Sequence, residues 1–540
     1  MRIKASVVIG LCLLAGTLPG ANGPRPNRAA GNGPLHRLLS MARPAQDPVT
    51  VIQGATLLDG TASPPIPDAV IVIQGSRILC AGARPACPVP AGAISLQAAG
   101  RWVTPGFINT HVHLRWGSSD GAAERAQRLR FAFGITTTRE ASSWNQLPLN
   151  LAQRTRAEAA TLPFPRLVVS GRISEANRRR LEAIDFGDLT RRLIGLGVDA
   201  IKLKDEAGVR GTHLTAVVEA AHAAGLPVYG HTWTETASFT LEAVRAGVDG
   251  ISHLQSFAIG GQHDPVLPRP PQDATDAERR LLFKRLWLSV DDEKLNVVTD
   301  SMIRRGVWLE PLLINQEEFF ERVLHPSRAW GSLGTGAARS GVAGPGGAAA
   351  RGRALSASAL PGQAWTDTAA LLAARRRILA FVGGYFRRGG TLITGTDERF
   401  NPGVSLHEEL RLLVQAGLSP LEALHAATAA AARALHRDDR IGTVEAGKVA
   451  DLVVLDADPL LDIVNTRRIW RVIKGGMIYD PRDLFRRIQA LQRGRAPGDV
   501  RPKRRIGVRG SAAGILLLGL LILGAARKAR RRGSGSGTAS

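Results

Sequence analysis

A chain of 540 residues is long enough for a barrel of about 250 residues with further segments around it. Its 70 Lys and Arg against 46 Asp and Glu give a net charge of +24, which invites a nucleic-acid reading. The cations are scattered along helical faces, as in Arg178, Arg179, Arg180, Arg191 and Arg192, and the 14 Phe, 3 Tyr and 9 Trp form no stacking platform, so nucleic acid is excluded as the expected partner.

In chain order, residues 1–23 read as a signal peptide. Met1, Arg2 and Lys4 give a positive start, Val7 to Leu18 an apolar stretch too short for an ordinary span, and Pro19 to Gly23 a small-residue end. Residues 24–47, rich in Pro, Gly, Ala and Arg, read as a linker. Short β runs follow at 49–57, 69–74, 77–81 and 94–103, separated by turn signals such as Asp59-Gly60 and Gln74-Gly75. Similar runs return at 451–455, 469–473 and 477–479, and together they predict a small β-sandwich built from 48–103 and 436–482. Within it, Cys80 and Cys87 either pair, as an exported compartment permits, or stay as small core residues.

Between these patches, over 104–435, apolar strands alternate with amphipathic helices, the pattern of a parallel α/β fold. Eight candidate strands, at 106–110, 135–139, 167–170, 200–203, 227–230, 250–252, 306–309 and 390–394, predict a (β/α)8 TIM-type barrel. Two stretches, near 258–290 and 313–364, break the alternation with Pro-rich or Gly/Ala/Ser/Arg-rich sequence and read as insertions. A basic linker over 483–509 leads to the uncharged run 510–526, at the short limit of the about 17–25 residues of a transmembrane helix. A basic tail, 527–540, closes the chain. With an exported start, these features predict a protein of the bacterial periplasm or cell envelope, anchored in the membrane through 510–526 or processed there as a sorting tail.

The sharpest chemical signal is His111-Val112-His113 at the end of the first barrel strand. Side chains at i and i+2 share a face, so two imidazoles can hold one metal at the end of the barrel where such enzymes place their sites. Further candidates stand at later strand ends. Lys202 lies in the apolar strand Ala200-Ile201-Lys202-Leu203, where a charged amine is costly to bury, although an edge position is open to it and Lys204 shares its face. His231 follows Val228-Tyr229-Gly230, His253 follows Gly250-Ile251-Ser252, and Asp397 follows Gly395-Thr396. Tyr229, Glu310 and His407 are candidate substrate contacts, each with an ordinary packing or pairing role as the alternative.

These stretches, with Leu418-Ser419-Pro420-Leu421-Glu422-Ala423-Leu424 and the string from Arg440 to Leu455, resemble the amidohydrolase superfamily over roughly residues 49–480. The resemblance is to its imidazolonepropionase-like and Xaa-Pro (Xaa-Arg) dipeptidase-like branch. It implies that His111, His113 and Asp397 bind one metal and that His231 and His253 bind a second. It further implies that Lys202, carboxylated by CO₂, bridges the two. Two divalent ions, zinc for this donor set, would then activate a hydroxide for attack on an amide or peptide bond, with Asp397 as general base and acid. The implied substrate is a small molecule such as a dipeptide. Two alternatives stand beside this: a mononuclear cyclic amidohydrolase or deaminase of imidazolonepropionase type, and a non-catalytic binding protein on the same barrel. Oligomeric state is open, and a homo-oligomer is compatible with the sequence. Leu254-Gln255-Ser256 after His253 departs from the family pattern, so the surroundings of that histidine are this chain's own.

Overall fold

The computed structural model describes residues 48–114, 121–141, 146–159, 161–204, 209–232, 238–262, 283–324, 368–398 and 401–492. All fall in the second of two compact units, 48–540. Fifteen strands follow in chain order among the described residues: β1 (Val49–Leu57), β2 (Ile66–Gln74), β3 (Arg77–Ala83), β4 (Ile94–Gln97), β5 (Trp102–Pro105), β6 (Phe107–Val112), β7 (Ile135–Glu140), β8 (Arg166–Ile173), β9 (Ala200–Leu203), β10 (Val228–Gly230), β11 (Gly250–Ser252), β12 (Trp308–Glu310), β13 (Leu452–Leu455), β14 (Ile469–Lys474) and β15 (Met477–Tyr479).

One sheet has the order β15-β14-β13-β5-β1-β2-β3, with β4 also on β1. It draws strands from both ends of the described chain, as the two short-β patches of the sequence suggest. β13 runs antiparallel to β5 with Leu452 opposite Pro105, so the returning chain lies beside the strand that leads into the second sheet. Ile52, Ile71, Val103, Leu452, Val454 and Ile473 form the apolar face of this sheet. Cys80 and Cys87 are joined in a disulfide. Arg166 at the start of β8 donates to Asp451, Gly475 N donates to the same carboxylate at 2.7 Å, and Lys474 Nζ caps carbonyls at the end of helix Leu147–Glu158, including Ala159 O at 3.2 Å. A lysine on the unsatisfied carbonyls of a helix end is favourable in both hydrogen bonding and charge.

The second sheet is parallel, with β6 to β12 side by side in sequence order. Parallel neighbours need long crossovers. Here the crossovers carry helices such as Ala122–Ala132, Phe186–Gly195, Thr212–His222, Thr240–Ala246 and Asp292–Arg305. β6 and β7 are buried along their whole length, as expected of strands covered by helices on one face and by a filled interior on the other. Segment 390–394 does not form a regular strand. It makes one bridge, Leu392 to Leu309, yet its backbone meets both edges of the sheet. Leu309 N donates to Thr391 O at 2.9 Å, Ile393 N to Leu309 O at 3.1 Å, and Thr110 N to Thr394 O at 2.9 Å. The fold is mixed α/β, with the parallel sheet curled as a half-barrel.

Pro420–Ala426 and Ala429–Ala434 are two separate helices. The first opens on a Ser419/Glu422 capping box, and the break falls where the Ala427 carbonyl accepts from Ile108 N of β6 at 2.8 Å. The stretch expected to be an insertion from 313 begins on a regular helix, Leu313–Leu324. Among the described residues no helix is long and apolar enough to cross a membrane. The signal segment 1–23, the run 510–526 and most of both insertions lie outside the described residues.

Candidate metal centre

The strand ends of the second sheet gather the candidate ligands. His111, His113 and Asp397 present ligand atoms that all lie within 4.8 Å of one another. His111 is fully buried and His113, just past the end of β6, is about two-fifths exposed at 41%. Asp397 reaches the pair because its backbone N–H donates to His111 O at 2.8 Å, and its Oδ1 stands 3.3 Å from His113 Nε2. The rings of His253 and His231 complete the group. His253 lies 5.0 Å from His111 between ring centres, and His231 lies 4.6 Å from His253.

The backbone is forced into this arrangement. Asp397 and His253 have φ of 45° and 69°, a region that costs a non-glycine residue roughly 1 kcal/mol or more and that clusters at functional sites. Gly395 has no room for a side chain: a Cβ would stand 2.7 Å from both Glu310 Oε1 and His111 Cβ. Gly230, just before His231, would place one 2.2 Å from Leu203 O. Both glycines permit close approach of the strand ends.

Glu310 is the hub beneath the histidines. Its Oε2 faces His111 Nδ1 at 2.8 Å and accepts from Ser252 Oγ at 2.7 Å, while Oε1 accepts from Thr110 Oγ1 and, at 3.0 Å, from Arg139 Nη2. With Nδ1 so engaged, His111 offers Nε2 to the cluster, the usual way a carboxylate fixes the tautomer of a metal-binding imidazole. Arg139, also fully buried, donates Nε to Thr110 O at 2.6 Å and lies 3.4 Å over the Tyr229 ring.

The electrostatics favour ligands over cations of the chain's own. His111, His231 and His253 are all held well below the ordinary histidine value, first by burial and then by neighbouring positive charges that include Lys202. Each is thus a neutral imidazole, the form that binds metal. Lys202, 1% exposed, has its Nζ 4.7 Å over the Tyr229 ring and without a hydrogen-bond partner among the described residues. Burial lowers its amine to about 7, with Glu310 opposing and Arg139 adding to that effect. Neutral imidazoles beside the Asp397 carboxylate are a donor set that fits a metal ion at these strand ends.

The three candidate substrate contacts are each engaged by other groups of the chain. Tyr229 is packed with Ile108, Trp308 and Ile393, and its hydroxyl shares a 2.8 Å hydrogen bond with Ser170. His407, on helix Val404–Gln415, uses Nδ1 toward Thr466 Oγ1 at 2.8 Å and Nε2 toward Phe133 O at 3.0 Å. Burial brings it to about 3, so it is a neutral packing group between helix and sheet. Glu310 has its carboxylate turned to His111 and Arg139 rather than to open space. Sequence reasoning missed Arg139, Glu140, Asn315 and Glu409. Glu140 Oε1 approaches His113 Nδ1 to 3.8 Å, and Asn315 Nδ2 donates to Asp397 Oδ2 at 3.0 Å. The available signals were two successive charges closing the strand Ile135-Thr136-Thr137-Thr138, and a polar residue ending Pro311-Leu312-Leu313-Ile314.

Residues 102–479 match the model of the Amidohydrolase family, well over half of the chain. An imidazolonepropionase of Methylobacterium sp. (strain 4-46) is 28% identical over 402 residues, covering 70% of this chain and 85% of that protein. A solved Xaa-Pro dipeptidase with methionine bound in its active site aligns with a TM-score of 0.55 at 19% identity, over 80% of this chain and all of that one. Molinate hydrolase aligns with a TM-score of 0.54 at 19% identity, over 86% of this chain and 100% of its own. At these identities the two structures speak for the fold alone. The chain belongs to the amidohydrolase family and is a hydrolase acting on carbon–nitrogen bonds.

Proposed function

We propose that the protein is a two-metal amidohydrolase that cleaves the amide or peptide bond of a small substrate such as a dipeptide, on a closed (β/α)8 barrel flanked by a small β-sandwich. The observation that carries this reading is the burial of Lys202 Nζ among three neutral histidines with no hydrogen-bond partner among the described residues. Its neutral amine adds CO₂ to give an N-carboxylate with release of one proton, which turns a buried amine with no hydrogen-bond partner among the described residues into an anionic ligand. His111, His113 and Asp397 would hold one ion, His231 and His253 the other, with Lys202 shared. Zinc suits this nitrogen-and-carboxylate set. When bound, the ions polarise the substrate carbonyl and lower the pKa of the attacking water.

The chain's own groups do the rest. Glu310 holds His111 in one tautomer, and the His111 carbonyl anchors the Asp397 backbone. Asp397 takes the proton of the attacking water at its carboxylate and returns it to the leaving nitrogen. A one-ion cyclic amidohydrolase is the second reading, favoured by the compact trio of His111, His113 and Asp397 found among the described residues. The Cys80–Cys87 disulfide supports an oxidising compartment, in keeping with an exported protein.

A screen of dipeptides, N-acyl amino acids and lactams with the zinc-loaded protein tests the substrate class. Hydrolysis of dipeptides, lost in Lys202→Ala and partly restored by short-chain carboxylates, is the expected result. Full activity of Lys202→Ala would remove the bridging lysine, and cleavage of lactams alone would favour the one-ion reading.

A further inference from the structure

Asp397 is fixed in backbone and in side chain by different parts of the molecule. Its backbone is held by the N–H bond to His111 O, and its neighbour Glu398 is anchored inside by Arg130 and by Asn109 Nδ2 at 3.2 Å. The carboxylate plane is set separately, by Asn315 Nδ2 at 3.0 Å on Oδ2, while Oδ1 faces His113. An ionised carboxylate only accepts, so the amide must present its NH₂ end here. An amide also neither gains nor loses a net proton near neutral pH, so it can orient Asp397 without competing for the proton that Asp397 carries.

Asn315 sits in the first turn of helix Leu313–Leu324, which the chain enters through Leu312 at φ 54°. The start of that helix is gripped from another element. Glu409, fully buried on helix Val404–Gln415, takes Leu313 N on Oε1 at 3.0 Å and Ile314 N on Oε2 at 2.7 Å. Burial raises the Glu409 carboxyl to about 8, with these two N–H bonds opposing the rise, and a carboxyl accepting from two successive N–H groups satisfies donors that a helix leaves open and sets the direction of its first turn. We propose that Asn315 is a positioning residue for Asp397, turning one carboxylate oxygen toward the site and holding the other, and that Glu409 sets Asn315 by clamping the start of its helix. This rests on the reading of Asp397 as metal ligand and proton carrier.

The test compares the full-length zinc-loaded protein with Asn315→Ala, Asn315→Asp, Glu409→Gln and the Asn315→Ala/Glu409→Gln double variant. Two quantities are read: zinc affinity by chelator competition, and kcat and KM separately on the best amide substrate. Asn315→Ala should keep its fold, weaken zinc binding roughly 10-fold, and lower kcat about 10- to 100-fold with KM nearly unchanged. Asn315→Asp, of equal shape but anionic, should lose at least as much. Glu409→Gln keeps one acceptor and should show a smaller loss in the same two quantities. The double variant should fall short of the product of the single losses, since both act through one contact. If Glu409→Gln does not fold, Glu409→Asp serves in the same cycle.

Zinc affinity and kcat of Asn315→Ala equal to wild type would overturn the inference while leaving the metal site intact. Multiplicative losses in the double variant would overturn the part assigned to Glu409. A wild type that binds no zinc would overturn the reading of the site, and the inference with it.

Discussion

Replacing Lys202 by Met separates what the lysine does for folding from what it does for function. In the metal-free protein the amine is charged in both folded and unfolded states below pH 7, so the folded state carries the full cost of burying it. Its value falls from the ordinary 10.5 to about 7 on folding, which at about 1.36 kcal/mol per pH unit bounds that cost at about 5 kcal/mol. Between pH 7 and 10.5 the unfolded chain holds a proton that the folded chain has released, so wild-type stability rises with pH across this window. Methionine, of similar length and uncharged, lacks that slope. With relaxation and water entry reducing the bound, Lys202→Met should stabilise the chelator-treated protein by roughly 2–3 kcal/mol at pH 6, a rise of about 2–3 °C in Tm for a chain of this size, and by little at pH 10. The assay is thermal unfolding of both proteins at pH 6, 8 and 10, read as the difference between them. A difference that does not change with pH, or a variant less stable than wild type at pH 6, would refute the assignment of Lys202 as a buried, electrostatically costly amine.

Glu310→Gln removes the charge facing His111 and Arg139, both fully buried. It should destabilise the protein by about 3 kcal/mol in urea unfolding and weaken zinc binding 10- to 100-fold in chelator competition. Gly395→Ala forces a methyl onto Glu310 and His111, and should cost about 1–3 kcal/mol with a matching loss of kcat. Cys80→Ser/Cys87→Ser opens a short loop in the first sheet, so it should lower stability by about 2 kcal/mol without changing kcat or KM. Unchanged stability of Gly395→Ala, or altered kinetics of the cysteine variant, would contradict the packing and the separation described above.

Much of this architecture was readable from the chain because each piece of it is local. Strands β1 and β9 fall at 49–57 and 200–203, where short apolar runs stand out in the sequence. His111, Lys202, His231, His253 and Asp397 were conspicuous as polar residues ending apolar strands, which local sequence displays. The contacts that give those residues their setting join distant parts of the chain. Glu310 meets Thr110, Arg139 and Ser252, and Glu409 meets Leu313 and Ile314, pairings that no local pattern encodes. The break at Ala427 has the same origin, since a propensity argument sees a run of alanines and not the Ile108 N–H that claims a carbonyl. The strand at 390–394 was overread for the opposite reason. Its composition suits a regular strand, while its backbone makes one bridge and a few bonds that reach two edges at once.

The count of bound ions tests the central proposal most directly. The protein, purified without chelator and supplied with bicarbonate, should carry two equivalents of zinc per chain by elemental analysis, and Lys202→Met should retain one or fewer. A wild type that saturates at one ion, with Lys202→Met holding the same one, would contradict the two-metal site built on Lys202.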